Sequence, residues 1–159
     1  MSPTEIIEAR SAEDFAEGRI LIEEYAETLG VDLCFQNFSD EIESIAKAYG
    51  TPRGCLLLAR KNSELAGCVA VRSQGDVVCE MKRLYVRPQY RGVDLGRLLA
   101  KTVIRRAQQL GYSRMILDTL PSMTEARFLY ESLGFQEIEG YYQNPLNGVW
   151  YLALELVAP

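Results

Sequence analysis

The stretch RPQYRGVDLG, residues 87–96, marks a change from strand to helix. The preceding CEMKRLYV is typical of a strand, and the following RLLAKTVIRRAQQLGY repeats apolar residues at helical spacing. The first turn of a helix has unpaired backbone amides and a positive dipole end, which attract an anion. Gly92 and Gly96 let the backbone approach a ligand closely, and Arg91 adds positive charge. The turn is a candidate anion site; the alternative is a tight turn that only needs flexible backbone.

Two common phosphate-binding motifs do not match this turn. In a P-loop, four residues separate the two glycines and Lys-Ser or Lys-Thr follows, whereas Gly92 and Gly96 are separated by three and are followed by Arg97. The dinucleotide motif G-x-G-x-x-G is absent as well. The anion site, if present, is therefore of another kind.

Length and composition suit one domain, which we expect to comprise residues 1–159. No apolar run is long enough to span a membrane, and the acidic start MSPTEIIEARSAEDF lacks the features of a signal peptide. We therefore expect a cytoplasmic protein with no membrane partner.

The chain contains no histidine, which excludes Ser-His and Cys-His nucleophilic machinery and histidine metal ligands. Its cysteines, at positions 34, 55, 68 and 79, form no C-x-x-C pair. We expect buried free thiols rather than disulfides or zinc, and no metal. Acid–base chemistry would fall to Glu, Asp, Tyr, Lys, Cys or water.

Positive charge is concentrated in residues 82–106, where eight Lys and Arg residues stand with one acidic residue, Asp94. The rest of the chain has nine basic and 21 acidic residues, and the net charge is −5. A basic patch on an acidic body suits a polyanionic small molecule better than a nucleic-acid track, so no nucleic-acid partner is expected. The alternative is a solvated helix face, which we favour for Arg105 and Arg106.

Hydrophobic periodicity predicts an α/β domain with the order β-α-α-β-β-β-α-β-α-β-β. The predicted strands are residues 5–9, 55–60, 65–72, 77–86, 114–119, 135–139 and 149–156. The predicted helices run from a cap at Ser11 to Gly30, from a cap at Ser39 to Tyr49, and over residues 95–110 and 124–133. Because only the later strands alternate with helices, a doubly wound nucleotide-binding fold is not predicted.

Two segments together resemble the GNAT superfamily of N-acetyltransferases. The run EMKRLYVRPQYRGVDLGRLL is similar to the acetyl-CoA-binding signature Q/R-x-x-G-x-G/A, with Gln89, Gly92 and Gly96 in place. The run LDTLPSMTEARFLYESLGF is similar to the second cofactor segment of that family, A-x-x-x-Y-x-x-x-G-F. The matching residues there are Ala126, Tyr130, Gly134 and Phe135.

The resemblance implies a GNAT-like fold with a mixed, mostly antiparallel central sheet and helices on both faces. It also implies acetyl transfer from acetyl-CoA to an amine by direct attack in a ternary complex. A backbone amide near Leu84 would polarise the thioester carbonyl. The implied acetyl-CoA-binding residues are Leu84, Tyr85, Val86, Arg91, Gly92, Val93, Asp94, Leu95, Gly96, Arg97, Thr124 and Arg127.

The sequence departs from the family pattern at Asp94, where Gly or Ala is usual, and at Met123, where Asn is usual. An Asp tolerates left-handed backbone, so the turn can form. Its carboxylate would either cap the following helix or repel the pyrophosphate, and we slightly favour a solvent-facing cap. These departures motivate an alternative function, a non-catalytic acyl-CoA-binding or regulatory module.

Two catalytic residues are implied by the resemblance. Tyr130 is the expected proton donor to the departing CoA thiolate; the alternative is core packing. Glu80 is the expected base, reached through water; the alternative is a surface pair with Lys82. A two-residue period would place Glu80 on one face with Lys82, Leu84 and Val86.

The expected acceptor is a primary amine of a small molecule, amino-acid-like or another metabolite. By the same resemblance its pocket lies between the first two helices and the closing strands. The implied residues are Tyr25, Asp32, Phe35, Gln36 and Tyr142. Asp32 could hold an ammonium group, while a structural loop role is the alternative for each residue. A homodimer is left open.

Overall fold

The computed structural model describes residues 4–29, 38–50, 52–92, 94–142 and 148–157. Their strands are β1 Thr4–Glu8, β2 Cys55–Lys61, β3 Glu64–Ser73, β4 Val78–Val86, β5 Arg114–Thr119, β6 Gln136–Ile138 and β7 Trp150–Glu155. Their helices are α1 Ala12–Leu29, α2 Phe38–Glu43, α3 Ile45–Tyr49, α4 Leu95–Gln109 and α5 Thr124–Ser132. A short 3-10 turn, Pro88–Tyr90, lies between β4 and α4.

The strands form one sheet in the order β1-β2-β3-β4-β5-β7-β6. The β4–β5 pair is parallel, and the other neighbouring pairs are antiparallel. The mixed, mostly antiparallel sheet predicted from the sequence is therefore confirmed. Asn62 and Ser63 join β2 to β3 with φ values of 53° and 68°, the left-handed conformation that a tight hairpin turn requires.

Two hydrophobic cores lie on opposite faces of the sheet. Leu57 of β2 belongs to the core that contains Leu99 of α4, whereas Leu56 belongs to the core that contains Leu21 of α1 and Tyr49 of α3. This alternation follows from the two-residue period of a strand. Helices cover both faces, as expected. In the described residues no helix combines the length and apolarity needed to cross a membrane.

The two predicted helix caps have different outcomes. Ser11 does cap α1, because its hydroxyl accepts a hydrogen bond from the Asp14 amide at 3.1 Å. The prediction for Ser39 was wrong, since α2 begins at Phe38 and Ser39 lies inside it. The single predicted helix is also divided at Ser44, whose φ of −132° and ψ of 50° are not helical.

Candidate active site

Strands β4 and β5 pair over only three residues and then separate. Their parallel register ends at Glu80 and Ile116, although β4 continues to Val86 and β5 to Thr119. A cleft of about 1050 Å³ is lined by the end of β4, the start of α4, residues 122–132 and part of α1. Because β5 has moved away, backbone groups at the end of β4 have no β5 partner in the strand register. They are available to pair with an extended ligand.

Most of the predicted cofactor-binding residues lie together in this cleft. Those that line it are Leu84, Tyr85, Val86, Arg91, Gly92, Asp94, Leu95, Gly96, Arg97 and Thr124. Val93 lies outside the described residues. The residues of the cleft that the sequence did not single out for cofactor binding include Thr28, Tyr90, Phe128 and Ser132. Their roles, like those of the predicted residues, stay predictions.

Arg127 does not line the cleft. Its guanidinium lies over the Trp150 ring, 4.2 Å from the centroid, and its Nε lies 3.7 Å from Glu131 Oε1. Helix α5 instead turns Thr124, Phe128 and Ser132 toward the cleft. The predicted contact between Arg127 and the cofactor is therefore not supported by its position, because helical spacing directs this side chain toward β7.

The backbone conformation calls for a glycine at position 92 but not at position 96. Gly92 has φ 86°, so an L-residue there would be strained although nothing lies within 4 Å of an added Cβ. Gly96 lies within α4, and an added Cβ would make ordinary contacts of 3.8 Å with Val86 and 3.9 Å with Leu129. The backbone conformation thus requires Gly92, whereas neither conformation nor packing requires Gly96.

Asp94 precedes α4 in the left-handed conformation, with φ 59° and ψ 21°. It is exposed, as expected, but it makes no side-chain cap hydrogen bond. The predicted cap was therefore wrong, and the reason is conformational: a capping residue normally has extended backbone. Asp94 is among the residues that line the cleft, beside Leu95 and Gly96 at the start of α4.

Two arginines that line the cleft form hydrogen bonds with neighbouring segments. Arg91 donates from Nε to the Val86 carbonyl at 2.9 Å, which closes the turn after β4. Arg97 donates from Nη1 to Ser132 Oγ at 2.9 Å, which links α4 to α5. Both arginines are exposed or partly exposed and add positive charge beside the start of α4.

A β-bulge at Arg83 changes the direction of the β4 side chains. Arg83 has φ 60°, and the β3–β4 register shifts between Cys68↔Tyr85 and Ala70↔Lys82. Before the bulge, Met81 packs in the α4 core; after it, Tyr85 packs in the α1 core.

Because of this bulge, the side chains of β4 do not all lie on the faces that the sequence predicted. Leu84 and Val86 pack against the α4 core, whereas Glu80 and Lys82 alternate with Met81 and point to the opposite face. The two-residue period that grouped all four residues was wrong, because a bulge inserts one extra residue into the ladder.

Glu80 lies at the centre of a buried polar network. Its Oε1 accepts hydrogen bonds from Arg72 Nε at 2.9 Å and Gln74 Nε2 at 2.8 Å, and its Oε2 accepts one from the Tyr141 hydroxyl at 2.7 Å. Burial alone would raise the pKa of Glu80, but the charges of Lys82 and Arg72 and these hydrogen bonds hold it below its ordinary value. The surface-pair interpretation was wrong, since Glu80 is 1% exposed and Lys82 6%. The role of Glu80 as a base stays a prediction.

A second, small cavity of about 40 Å³ adjoins the cleft and shares the lining residues Tyr25, Leu29 and Met123 with it. Lys82 and Asp118 both line this cavity. Burial and the Arg83 charge lower the pKa of Lys82 to about 8, although Glu80 and Asp118 act in the opposite direction.

The sequence analysis missed Lys82 and Asp118 as site residues. The available signal was charged residues within two strand-like runs, Lys82 beside Glu80 and Arg83 in CEMKRLYV and Asp118 near the end of RMILDT. Such residues are seldom buried without a specific partner or a function. The two strands are parallel neighbours that diverge, which is why both side chains reach one cavity.

Tyr130 is buried, and its ring packs edge-on against Phe135 with centroids 5.7 Å apart. Burial, with smaller contributions from Tyr25 and Asp118, raises the pKa of Tyr130 above its ordinary value. The phenol therefore remains protonated throughout the neutral range and can only donate a proton there. Tyr130 packs in the α4 core and is not among the residues that line the cleft or the small cavity, so its described contacts are packing contacts. The acid role stays a prediction.

The predicted acceptor residues are only partly described. Tyr25 lines both cavities, and burial raises its pKa to about 12. Tyr142 donates a hydrogen bond from its hydroxyl to Asp118 Oδ2. Asp32, Phe35 and Gln36 lie outside the described residues.

The described cysteines, Cys55, Cys68 and Cys79, are free and buried, as predicted. In the part of the chain that the structure describes, no group of three or more Cys, Asp or Glu side chains is arranged to hold a metal ion.

The divergent strands and the glycine turn before α4 define an acetyltransferase fold. The chain belongs to the acetyltransferase (GNAT) family, whose model matches residues 18–135. It is 47% identical to an uncharacterized N-acetyltransferase of Schizosaccharomyces pombe, over 91% of this chain and 90% of the relative. The protein is therefore an acetyltransferase enzyme, of a family that uses acetyl-CoA.

Solved structures share the fold. A GNAT-family acetyltransferase of Staphylococcus aureus superposes with a TM-score of 0.80 at 20% identity, covering 98% of this chain and 100% of that one. A putative acetyltransferase of Salmonella typhimurium, solved with its cofactor acetyl-CoA, has a TM-score of 0.68 at 18% identity, covering 97% and 94%.

Proposed function

We propose that this protein transfers the acetyl group of acetyl-CoA to a primary amine of a small molecule, by direct attack while both are bound. The observation that carries the proposal is that the cleft and the small cavity share a wall. The α4 turn and the end of β4 line the cleft, and Tyr25, Leu29 and Met123 line both the cleft and the small cavity of Lys82 and Asp118. A long cofactor and a small acceptor could therefore meet near the bulge in β4.

The residues of the cleft suit acetyl-CoA. Gly92 and Gly96 present the start of α4 without side chains, and Arg91 and Arg97 add positive charge for a pyrophosphate. The end of β4 offers backbone groups that have no β5 partner in register, which suits the amides of pantetheine. Bound acetyl-CoA would supply an activated acetyl thioester. The Asp94 carboxylate opposes this fit, because it adds negative charge beside the pyrophosphate site.

In the proposed reaction a C–N bond forms between the amine and the acetyl carbon, and the C–S bond breaks. The sulfur leaves with the electron pair and takes up one proton, while the amine loses one. A backbone amide near Leu84 would stabilise charge on the carbonyl oxygen, and Tyr130 would donate a proton or a hydrogen bond to the sulfur.

The amine must be neutral to attack. An amine of pKa ~10.4 costs about 4.6 kcal/mol to deprotonate at pH 7, at about 1.36 kcal/mol per pKa unit. Glu80 would accept the proton through water. Its low pKa makes it a weak base, and three donors already occupy its oxygens. Part of the deprotonation would therefore fall to solvent, and turnover should increase with pH.

The test is release of CoA from acetyl-CoA with a panel of primary amines, with acetyl-CoA binding measured in parallel by calorimetry. Amine-dependent release supports the proposal. Absence of binding at millimolar acetyl-CoA would refute it.

One observation favours the second candidate, a non-catalytic acyl-CoA-binding module. Asp94, whose carboxylate makes no cap hydrogen bond, is among the residues that line the cleft, at a position where the family usually has Gly or Ala. Tight acetyl-CoA binding without turnover on any amine of the panel would support this alternative over catalysis.

A further inference from the structure

Phe128 is an exposed aromatic side chain of the cleft. The residue is 62% exposed, and it lines the cleft together with Thr124 and Ser132 of the same helix. Among the aromatic residues that the structure describes, it alone is exposed. Isolated exposed hydrophobic residues are common on protein surfaces, but an aromatic ring in a ligand cleft presents a flat apolar face that a ligand can cover.

Packing within the protein leaves this ring largely uncovered. The Arg127 guanidinium lies 6.0 Å from the Phe128 centroid, at the limit of a cation–π contact, and it lies closer to the Trp150 ring, at 4.2 Å. Phe128 belongs to neither hydrophobic core of the described residues, although the adjacent Leu129 packs against the α4 core. Because the ring is exposed, its removal should leave the protein folded.

Gly96, in the first turn of α4, stands between β4 and α5. A Cβ added there would lie 3.8 Å from Val86 Cγ2 of β4 and 3.9 Å from Leu129 Cδ2 of α5. The pyrophosphate of acetyl-CoA joins two arms, the pantetheine arm that carries the thioester and the adenosine arm. In the proposed complex the pantetheine arm follows the end of β4. The adenosine arm must therefore leave the α4 turn along another wall of the cleft, and α5 is the wall that adjoins this turn.

Phe128 lies within reach of that second arm. Arg97, the residue after Gly96, donates from Nη1 to Ser132 Oγ at 2.9 Å, which holds α5 beside the start of α4. Phe128 and Ser132 are four residues apart on α5, so they share a helix face with Cβ atoms about 6 Å apart. Aromatic side chains stack on nucleic-acid bases because every base has a flat π face.

We propose that Phe128 stacks on the adenine of acetyl-CoA and thereby adds to the affinity for the cofactor. This inference rests on the proposed binding of acetyl-CoA in the cleft. It assigns a partner to the base, which neither the glycine turn nor the end of β4 would hold. Since adenine is uncharged, the contribution of this contact should not depend on salt, in contrast to that of Arg91 and Arg97 beside the phosphates.

The test measures binding by calorimetry for acetyl-CoA and for S-acetyl-phosphopantetheine, which lacks the adenosine arm. Phe128→Ala should weaken acetyl-CoA binding by ~10-fold, a typical size for base–aromatic stacking, and should change S-acetyl-phosphopantetheine binding by less than about twofold. The loss of acetyl-CoA affinity should be equal at low and high salt. Phe128→Trp should retain the affinity of the wild type, whereas Phe128→Leu should lose most of what Phe128→Ala loses, because leucine has no flat ring.

Two controls separate stacking from a structural effect. Leu98→Ala removes an exposed apolar side chain of α4 that is not among the residues lining the cleft, and it should bind both ligands as the wild type does. Thermal melting without ligand should show that Phe128→Ala is as stable as the wild type.

An equal loss of affinity for both ligands in Phe128→Ala would overturn the inference, because the ring would then contact the pantetheine arm. Unchanged acetyl-CoA affinity would also overturn it, and a lower mass of the variant in solution would then show that a second copy of the chain covers the ring. Both outcomes leave the proposed acetyl transfer intact. Absence of acetyl-CoA binding by the wild type would refute the proposed function and this inference together.

Discussion

Arg83 donates two hydrogen bonds to Glu41, from Nε at 2.9 Å and from Nη2 at 2.7 Å, with side chains only 4% and 5% exposed. The pair joins the β4 bulge to α2. Tyr49 also donates to Glu41, at 2.6 Å. The left-handed backbone of Arg83 is thus held by its side chain, and the bulge sets the faces on which Lys82 and Leu84 lie.

We expect Glu41→Gln to lower the free energy of unfolding by roughly 3–5 kcal/mol, because it leaves a buried guanidinium without its counter-charge. Glu43→Gln changes an exposed residue of the same helix and should have little effect. Burial would raise the pKa of Glu41, but Arg83 holds it below the ordinary 4.5. Its stabilisation is therefore complete above about pH 4.5 and is lost as pH falls through the lower folded value. Chemical denaturation at several pH values measures this, and equal stability of the two variants would contradict it.

We expect Glu80→Gln to destabilise the protein by roughly 3 kcal/mol, because Arg72 and Lys82 lose their shared buried carboxylate. Since the pKa of Glu80 is below its ordinary value, the carboxylate stays ionised between about pH 6 and 8. Protonation of Glu80 should therefore cause no decrease of kcat/KM in that range. Glu137→Gln, at an exposed strand position, is the control. A variant that melts like the wild type but loses turnover more than ~100-fold would show instead that Glu80 acts chiefly as the base.

Alanine at the two glycines of the turn should have different effects. Gly96→Ala should leave stability unchanged or raise it by up to ~1 kcal/mol, because it replaces a helical glycine without a clash. It should nevertheless weaken acetyl-CoA binding if the backbone approaches the cofactor there. Gly92→Ala should cost about 1–2 kcal/mol of stability, because its φ of 86° is strained for alanine. Melting and calorimetric titration of both variants separate these effects, and unchanged affinity in Gly96→Ala would exclude a close approach at that residue.

Removing the Asp94 charge should tighten acetyl-CoA binding. Asp94→Asn keeps a residue that tolerates the left-handed conformation and removes the carboxylate, so affinity should increase roughly 3- to 10-fold at low salt. The gain should shrink at high salt because an exposed charge is screened. Asp94→Gly should bind equally well and be no less stable, since no cap hydrogen bond is lost. Affinity that is flat at both salt concentrations would mean that the carboxylate points away from the phosphates.

Tyr130→Phe should lower turnover by roughly 10-fold and leave acetyl-CoA affinity nearly unchanged, because it removes one proton donor and little packing. Because the pKa of Tyr130 is above its ordinary value, the wild type should show no basic limb from this phenol below about pH 10. Phe135→Leu perturbs the same ring contact without removing a donor, and it should affect stability rather than turnover. If Tyr130→Phe instead loses affinity while the bound complex turns over normally, Tyr130 is a packing residue.

Most of the element order could be predicted because burial periodicity is a local property. The strand at residues 114–119 was predicted with the bounds that β5 has. The polar residues between the predicted strands 55–60 and 65–72 are where the structure has the hairpin turn of Asn62 and Ser63. The break at Ser44 was not predictable, since residues on both sides continue the same apolar face.

The glycine turn and the grouping of most predicted cofactor-binding residues along one cleft could likewise be anticipated from the sequence, because these residues are contiguous in the chain and resemble a family signature. Their contacts with acetyl-CoA stay predictions. Arg127 is one predicted residue that the structure does not bring into the cleft. The resemblance places it in the second cofactor segment, but helical geometry carries its side chain to Trp150 instead.

By itself the sequence determined the strand–turn–helix at residues 79–112, the two-faced sheet and the family, because each depends on residues near each other in the chain. Only the tertiary structure decided which side chains line the small cavity beside the cleft. The bulge at Arg83 depends on a partner 42 residues away, and the Glu80–Tyr141 hydrogen bond spans 61 residues. Lys82 and Asp118 meet because β4 and β5 diverge after Glu80. A regular two-residue period contains no signal for a bulge or a divergence, since both arise from long-range pairing of charges and strands.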